Sequence, residues 1–133
     1  CVAHVAVSPS GEVTAKKLTV ATDVGTAVNP DGIRAQVEGG ALWGLSLALY
    51  EKATLKDGGI EQTNFDTYTP LRMSQMPDVS VHIIANGEPA TGVGEPTVTV
   101  IAPAIANAVF NAVGARVRSL PITADAVKGA MKA

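Results

Sequence analysis

The stretch "PTVTVIAPAIANAVFNAVGA", residues 96–115, decides the fold, because it carries no charge over a length near that of a membrane-spanning helix. Its composition argues against hydrocarbon. Pro96, Pro103, Asn107, Asn111 and two threonines are helix breakers or polar groups that a bilayer leaves unsatisfied. Ile101, Ile105, Ala108, Val109, Ala112 and Val113 fall at the three- and four-residue spacing of a helix that buries one side. A buried helix over about 97–113 is therefore expected, with no membrane span in the chain. Gly114 is placed to stop it, and Arg116 and Arg118 lie just beyond, where cations suit the negative helix end.

Immediately upstream, "TGVGE" (residues 91–95) is a Gly-rich turn feeding that helix. Backbone N–H groups point outward at such a place and favour anions. No Lys-Ser/Thr pair follows, so the residues Gly92, Val93 and Gly94 are a weak signal for a phosphate loop on their own. Glu95 has a plain reading as a first-turn carboxylate that offsets the helix dipole, worth about 0.3–1 kcal/mol. A functional carboxylate there would stand between two influences: the helix end favours its charged form, and burial in an apolar pocket favours its protonated form. The balance decides whether it serves as a base.

The rest of the chain supplies what this helix packs on. Val2–Val7 and Val13–Thr22 alternate as strands do, and "SPSGE" between them suits a hairpin, so an antiparallel pair is expected. Asn29 before Pro30 marks a helix start, and Ile33, Val37, Ala41, Leu45, Ala48 and Leu49 carry a helical period to about Thr54. Gly39, Gly40 and Gly44 inside it each cost about 1 kcal/mol against Ala, which points to another backbone or a ligand close by. "LKDGGIEQ" (55–62) reads as a turn between two short strands, residues 64–77 as irregular, and Val79–Ala85 as a further strand. A tail helix from about Asp125 to Met131, capped by Thr123, completes a single α+β unit over residues 1–133, with antiparallel or mixed strands packed on two main helices.

Composition narrows the function. With 133 residues, 47% of them hydrophobic and 17% charged, the chain can bury a core and is not a disordered one. A net charge of -2 and no basic run beyond "RVR" (116–118) give no reason to expect a nucleic-acid partner. The lone cysteine, Cys1, allows neither an internal disulfide nor a thiolate cluster, and no metal-ligand set is read in the chain. His4 and His82 fall in strands and read as packed or rim residues; Asp23, Asp57 and Asp78 read as turn residues. Gln36 and Glu38 lie by the helix glycines, where a polar side chain could meet a ligand, although solvent is the simpler partner. The chain opens inside the alternating run "CVAHVAV", as a fragment of something longer would.

Two stretches in order, "DVGTAVNPDGIRAQVEGGALWGLSLALYE" (23–51) and "GVGEPTVTVIAPAIANAVFNAVGARVRSLPIT" (92–123), resemble the C-terminal part of the molybdopterin-binding large subunit of the xanthine dehydrogenase/aldehyde oxidoreductase family. "NFDTYTPLRMSQMPDVSVHII" (64–84) looks most like the isoquinoline 1-oxidoreductase beta-subunit branch. The resemblance implies a molybdenum hydroxylase that oxidises an aldehyde or an N-heteroaromatic carbon with oxygen taken from water. It implies that Glu95 is the general base, that Gly92, Val93 and Gly94 run along the pterin, and that Gln36 contacts the cofactor. It further implies molybdopterin in its cytosine dinucleotide form, [2Fe-2S] clusters on an iron-sulfur small subunit or domain, the upstream part of the same subunit as partner, and a small organic substrate. A bacterial cytoplasmic or periplasmic setting fits equally. Thr97 stands where relatives often have a second proline. Two other readings stay open: a non-catalytic assembly module of the same fold without cofactor, and a small phosphate- or nucleotide-binding protein.

Overall fold

A computed structural model describes residues 1–131. In chain order these form β1 (Val2–Val7), β2 (Val13–Asp23), α1 (Pro30–Leu49), β3 (Leu55–Lys56), β4 (Gly59–Ile60), β5 (Asp78–Ile84), α2 (Pro96–Val113) and α3 (Ala124–Met131). The fold is α+β, as the pattern of elements predicts.

Alternation along β2 breaks in the middle: Val13 and Ala15 are buried, then two lysines intervene, then Leu18 and Val20 are buried. The pairing explains the break. His4 faces Lys17 and Val5 faces Ala15, so β2 carries one extra residue, Lys16, against β1. Such a bulge resets the phase, so that all four apolar residues point to one side and both lysines to water. β1 pairs antiparallel with β2, as expected, whereas β5 joins the other edge of β2 in parallel, with Leu18 facing Val79 and Val20 facing Val81. A parallel neighbour needs a long crossover, and α1 with the loops after it provides one. β3 and β4 make a separate small hairpin whose turn holds Asp57 at φ 50°. Residues 64–77 are irregular apart from a short 3₁₀ turn at Met73–Gln75.

Both long helices lie on one face of the sheet. α2 packs on β1 and α1, and α1 packs on β5 and β2. Leu18, Val37, Leu45, Ile101, Ile105, Val109 and Val127 are fully buried between the layers. His4 and His82 are exposed, in agreement with a rim position. α2 is long and apolar enough to cross a membrane by length and composition, but its stripe of Thr97, Ile101, Ile105 and Val109 belongs to the core. The stripe is narrower than the sequence suggests. Ala112 is exposed, and Val100 and Phe110 also face outward.

The helix glycines resolve into two kinds. A Cβ on Gly44 would lie 2.8 Å from Ile101 Cβ and 2.8 Å from the Val98 carbonyl, and one on Gly40 would lie 3.1 Å from Thr97 Cβ. Close approach of another backbone, α2, therefore accounts for both. Gly39 is different: it is exposed and a Cβ there would meet nothing within 4 Å.

Helix starts follow their signals. The Asn29 side chain accepts from the Gly32 amide at 3.0 Å, and Thr123 Oγ1 accepts from the Ala126 amide at 3.2 Å. α2 ends on Gly114 at φ 70°, the left-handed stop that glycine supplies without strain. Beyond it, the Arg116 guanidinium donates to Asn107 Oδ1 and stacks on the Phe110 ring. α1 stops at Leu49 rather than near Thr54. The Ser46 carbonyl takes both the Tyr50 and Glu51 amides, and the Ala48 carbonyl accepts from the distant Ile122 amide at 2.8 Å. A residue far along the chain thus takes the Ala48 carbonyl that another helical turn would need.

Candidate functional site

The loop before α2 is held by a zipper of long-range bonds. Asp23 accepts from the Gly25 amide and from the Asn86 side chain, so its turn role extends across the fold. The Asn86 amide donates to the Gly25 carbonyl, the Thr91 amide to the Val24 carbonyl, and Thr26 Oγ1 to the Glu88 carbonyl. Gly25 sits at φ 65° with Pro89 pressed against it, so close that a Cβ would lie 2.2 Å from the Pro89 carbonyl oxygen. Only glycine fits there. The "DVGT" segment at the end of β2 therefore fixes where residues 86–91 run, and through them where Gly92–Glu95 emerge.

Past Thr91 the bonding stops. Among the described residues, the amides of Gly92, Val93, Gly94 and Glu95 donate to no carbonyl or side chain. A Cβ on Gly92 or Gly94 would meet nothing within 4 Å, so their backbone lies open. Glu95 is the N-cap of α2 rather than a residue of its first turn, with Pro96 following it. Its carboxylate makes no capping hydrogen bond and is exposed, so what it offers the helix is its charge beside the N-terminus. It lines a cleft of about 260 Å³ with Trp43, Leu47, Val98 and Thr99. Thr97 is buried against α1 at Gly40 and does not line this cleft.

Gln36 and the loop meet in a second cleft of about 330 Å³ that shares no lining residue with the first. Its lining includes Gln36, Asn29, Gly32 and Ile33 from the start of α1, and Thr91 and Val93 from the loop. Gln36 is exposed, and among the described residues its side chain has no hydrogen-bond partner. The structure thus brings Gln36 and Val93 into one cleft and puts Glu95 into the other, two residues further along the same loop. Unpaired amides, open glycine backbone and an unpaired carboxamide are a donor set suited to an anionic, hydrogen-bonding group such as a pterin phosphate. They fit part of such a group, since both clefts are open at the surface of this chain.

Two features were not legible as site residues. Trp43 lies outside the Ile33–Leu45 stripe, is 59% exposed, and lines the Glu95 cleft. The signal was present: a large aromatic on the solvent phase of a helix is unusual unless something covers it. Asn86 ties the loop to Asp23, but nothing local marks it apart from other turn asparagines. Another polar pair lies outside the Gln36 and Glu95 clefts: the Tyr68 hydroxyl donates to Glu51, and this bond, with some burial, raises the Tyr68 hydroxyl above the ordinary tyrosine range.

The molybdopterin cofactor-binding domain family matches residues 1–77. A membrane-bound aldehyde dehydrogenase of Gluconacetobacter polyoxogenes, named for pyrroloquinoline quinone, is 48% identical over 131 residues, 97% of this chain and 17% of its own length. The isoquinoline 1-oxidoreductase subunit beta of Brevundimonas diminuta is 41% identical over 102 residues, 77% of this chain and 13% of its own. Among solved structures, the aldehyde oxidoreductase of Desulfovibrio desulfuricans ATCC 27774 superposes with a TM-score of 0.83 at 31% identity, covering 96% of this chain and 14% of that one. The chain spans less than a fifth of the length of these relatives. By the family match and the identity over nearly its whole length, the chain belongs to the molybdopterin cofactor-binding family of xanthine dehydrogenase and aldehyde oxidoreductase large subunits.

Proposed function

We propose that this chain is part of the catalytic subunit of a molybdenum hydroxylase, with Glu95 as general base and Gln36, Gly92, Val93 and Gly94 as cofactor contacts. Residues 1–133 act as one α+β unit near the C-terminal end of a larger molybdopterin-binding domain. The observation that carries the reading is the unpaired carboxylate of Glu95, set at the helix N-cap directly after three loop amides that lack partners, its own amide being the fourth.

When bound, the cofactor supplies the redox chemistry that oxidises an aldehyde or N-heteroaromatic carbon. The chain's share is positioning and proton transfer. The amides of Gly92, Val93 and Gly94 and the carboxamide of Gln36 hold polar groups of the pterin. The Glu95 carboxylate takes the proton that a water-derived oxygen sheds as it bonds to the substrate carbon. Its exposure in this chain makes the upstream part of the same subunit the element that closes the cleft and excludes water. A partner subunit or domain carrying [2Fe-2S] clusters would supply the path for electrons, and the cofactor would be the cytosine dinucleotide form. The fragment by itself holds part of a pocket and is inactive.

In the complete protein, Glu95→Gln should leave molybdenum and pterin content nearly intact and cut turnover by about 10²-fold or more, the range for a lost general base. Unchanged turnover would refute the role of Glu95. Elemental analysis of the same preparation tests the cofactor. One relative is named for pyrroloquinoline quinone, and finding that quinone in place of molybdenum would overturn the assignment. A non-catalytic assembly module is the second reading, favoured by the outward-facing Trp43, Met73 and Phe110. Absence of molybdenum in the fully assembled protein would support it.

A further inference from the structure

Asn86 is one of five asparagines in the chain, and its surroundings differ from those of the other four in a way that bears on its chemical stability. An asparagine loses its side-chain amide when the backbone nitrogen of the next residue attacks it, so the state of that nitrogen decides which one reacts. Asn29 is followed by Pro30, which has no N–H, and Asn107 and Asn111 lie in α2, whose hydrogen-bond ladder holds the amides after them. The Phe65 amide donates to Asn64 Oδ1 at 2.8 Å, and a bulky ring follows it. After Asn86 comes Gly87, at φ 84°. Among the described residues the Gly87 amide donates to no carbonyl or side chain, and a Cβ there would meet nothing within 4 Å. An Asn-Gly pair marks a turn in any sequence; the free amide is what the tertiary structure adds.

We infer that Asn86 is a deamidation site, and that its conversion to a carboxylate loosens the loop carrying Gly92–Glu95. The Gly87 nitrogen bonds to the Asn86 side-chain carbonyl carbon, the bond from that carbon to Nδ2 breaks, and ammonia leaves with the proton from the Gly87 amide. Water then opens the cyclic imide at either carbonyl, giving aspartate or isoaspartate. Water is consumed and ammonia released in equal amounts, with no change of oxidation state. The Glu88 amide donates to Asn86 Oδ1 at 3.0 Å, a donor on the oxygen where charge develops during attack. Asn86 Nδ2 donates to both Asp23 oxygens, at 3.1 and 3.0 Å. These bonds restrain the carboxamide only at an exposed surface, where water competes for both partners. The product reverses the contact, since two carboxylates then face each other with no donor between them. Their repulsion works against the Asn86–Gly25 and Thr91–Val24 backbone bonds that hold residues 86–91.

The test ages the complete protein at mildly alkaline pH, digests samples in acid and reads the peptides by mass spectrometry. Amide-to-acid conversion should be found at Asn86 before any at Asn29, Asn64, Asn107 or Asn111, with ammonia released in step. Hydrogen exchange at the Thr91 amide should speed about tenfold in the aged protein, and equally in unaged Asn86→Asp, as fits the loss of hydrogen bonds to a charged partner. Combining Asp23→Asn with Asn86→Asp puts the amide on the other side of the same contact and should return exchange toward the parent rate. Absence of conversion at Asn86, or conversion no faster than at Asn64, overturns the site. Thr91 exchange in Asn86→Asp as slow as in the parent overturns the loosening of the loop, and so does a double variant that exchanges as fast as Asn86→Asp alone. Neither readout depends on the role of Glu95.

Discussion

Replacing Gly44 by alanine tests the crossing of α1 and α2 on which the site depends. A methyl group at Gly44 would sit 2.8 Å from Ile101 Cβ, 2.8 Å from Ile101 Cγ1 and 2.8 Å from the Val98 carbonyl oxygen. None of these atoms is the end of a flexible side chain. Relief therefore requires the two helices to move apart, an overpacking that costs about 1–3 kcal/mol, with backbone contacts placing it in the upper half. Alanine simultaneously gains about 1 kcal/mol of helix propensity over glycine. The net expectation is a loss of about 1–2 kcal/mol. Gly39 supplies the control within the same helix: it is exposed and its methyl would touch nothing, so Gly39→Ala should gain the propensity term alone, about 1 kcal/mol. Gly40, 3.1 Å from Thr97 Cβ, should fall between them. Urea unfolding followed by circular dichroism on the 133-residue chain gives the three values. Comparing the variants cancels propensity and isolates the packing term. If Gly44→Ala is as stable as Gly39→Ala, the close crossing is not what holds glycine there, and the reasoning is wrong.

Two further outcomes follow from the loop and the polar pair. Gly25→Ala combines a positive-φ backbone with a contact to the Pro89 carbonyl, so it should cost more than about 2 kcal/mol and speed hydrogen exchange at the Thr91 amide, which donates to Val24; exchange as slow as in the parent would show that the zipper does not depend on Gly25. Tyr68 is raised by its hydrogen bond to Glu51, and Tyr50 by burial and then by the charge of Glu12. In both cases the folded state holds the phenolic proton more tightly than the unfolded chain. Their stabilising contribution is present below the ordinary tyrosine range and is lost as pH rises through the higher folded values. Ultraviolet titration of Glu51→Gln should show one tyrosine ionising at lower pH than in the parent, and an unchanged curve would exclude the Glu51 bond as the cause.

The positions of the strands and the start of every long helix could be read from local chemistry. Asn29-Pro30, Gly114 and Thr123 act on residues within a few positions of themselves, so their meaning survives without the fold. The end of α1 could not be read, because the Ile122 amide that caps Ala48 lies more than seventy residues downstream. Similarly, the three helix glycines look alike in sequence. Only the position of α2 separates the pair that permits a close crossing from Gly39, which permits nothing.

For the site, the motifs around Gln36 and Glu95 marked which residues belong together through resemblance to a family, while the bare sequence favoured solvent for one and a dipole role for the other. What the sequence alone determined was the alternation of β1 and β2, the helical periods, the caps and the open glycine loop, since each follows from neighbours along the chain. What only the tertiary structure decided was that Gln36 and Val93 share a cleft, that Glu95 caps α2 without bonding to it, and that Trp43 stands beside it. Those relations depend on the crossing of α1 and α2 and on the Asp23–Asn86 bond, contacts between residues far apart in the chain that no local pattern encodes.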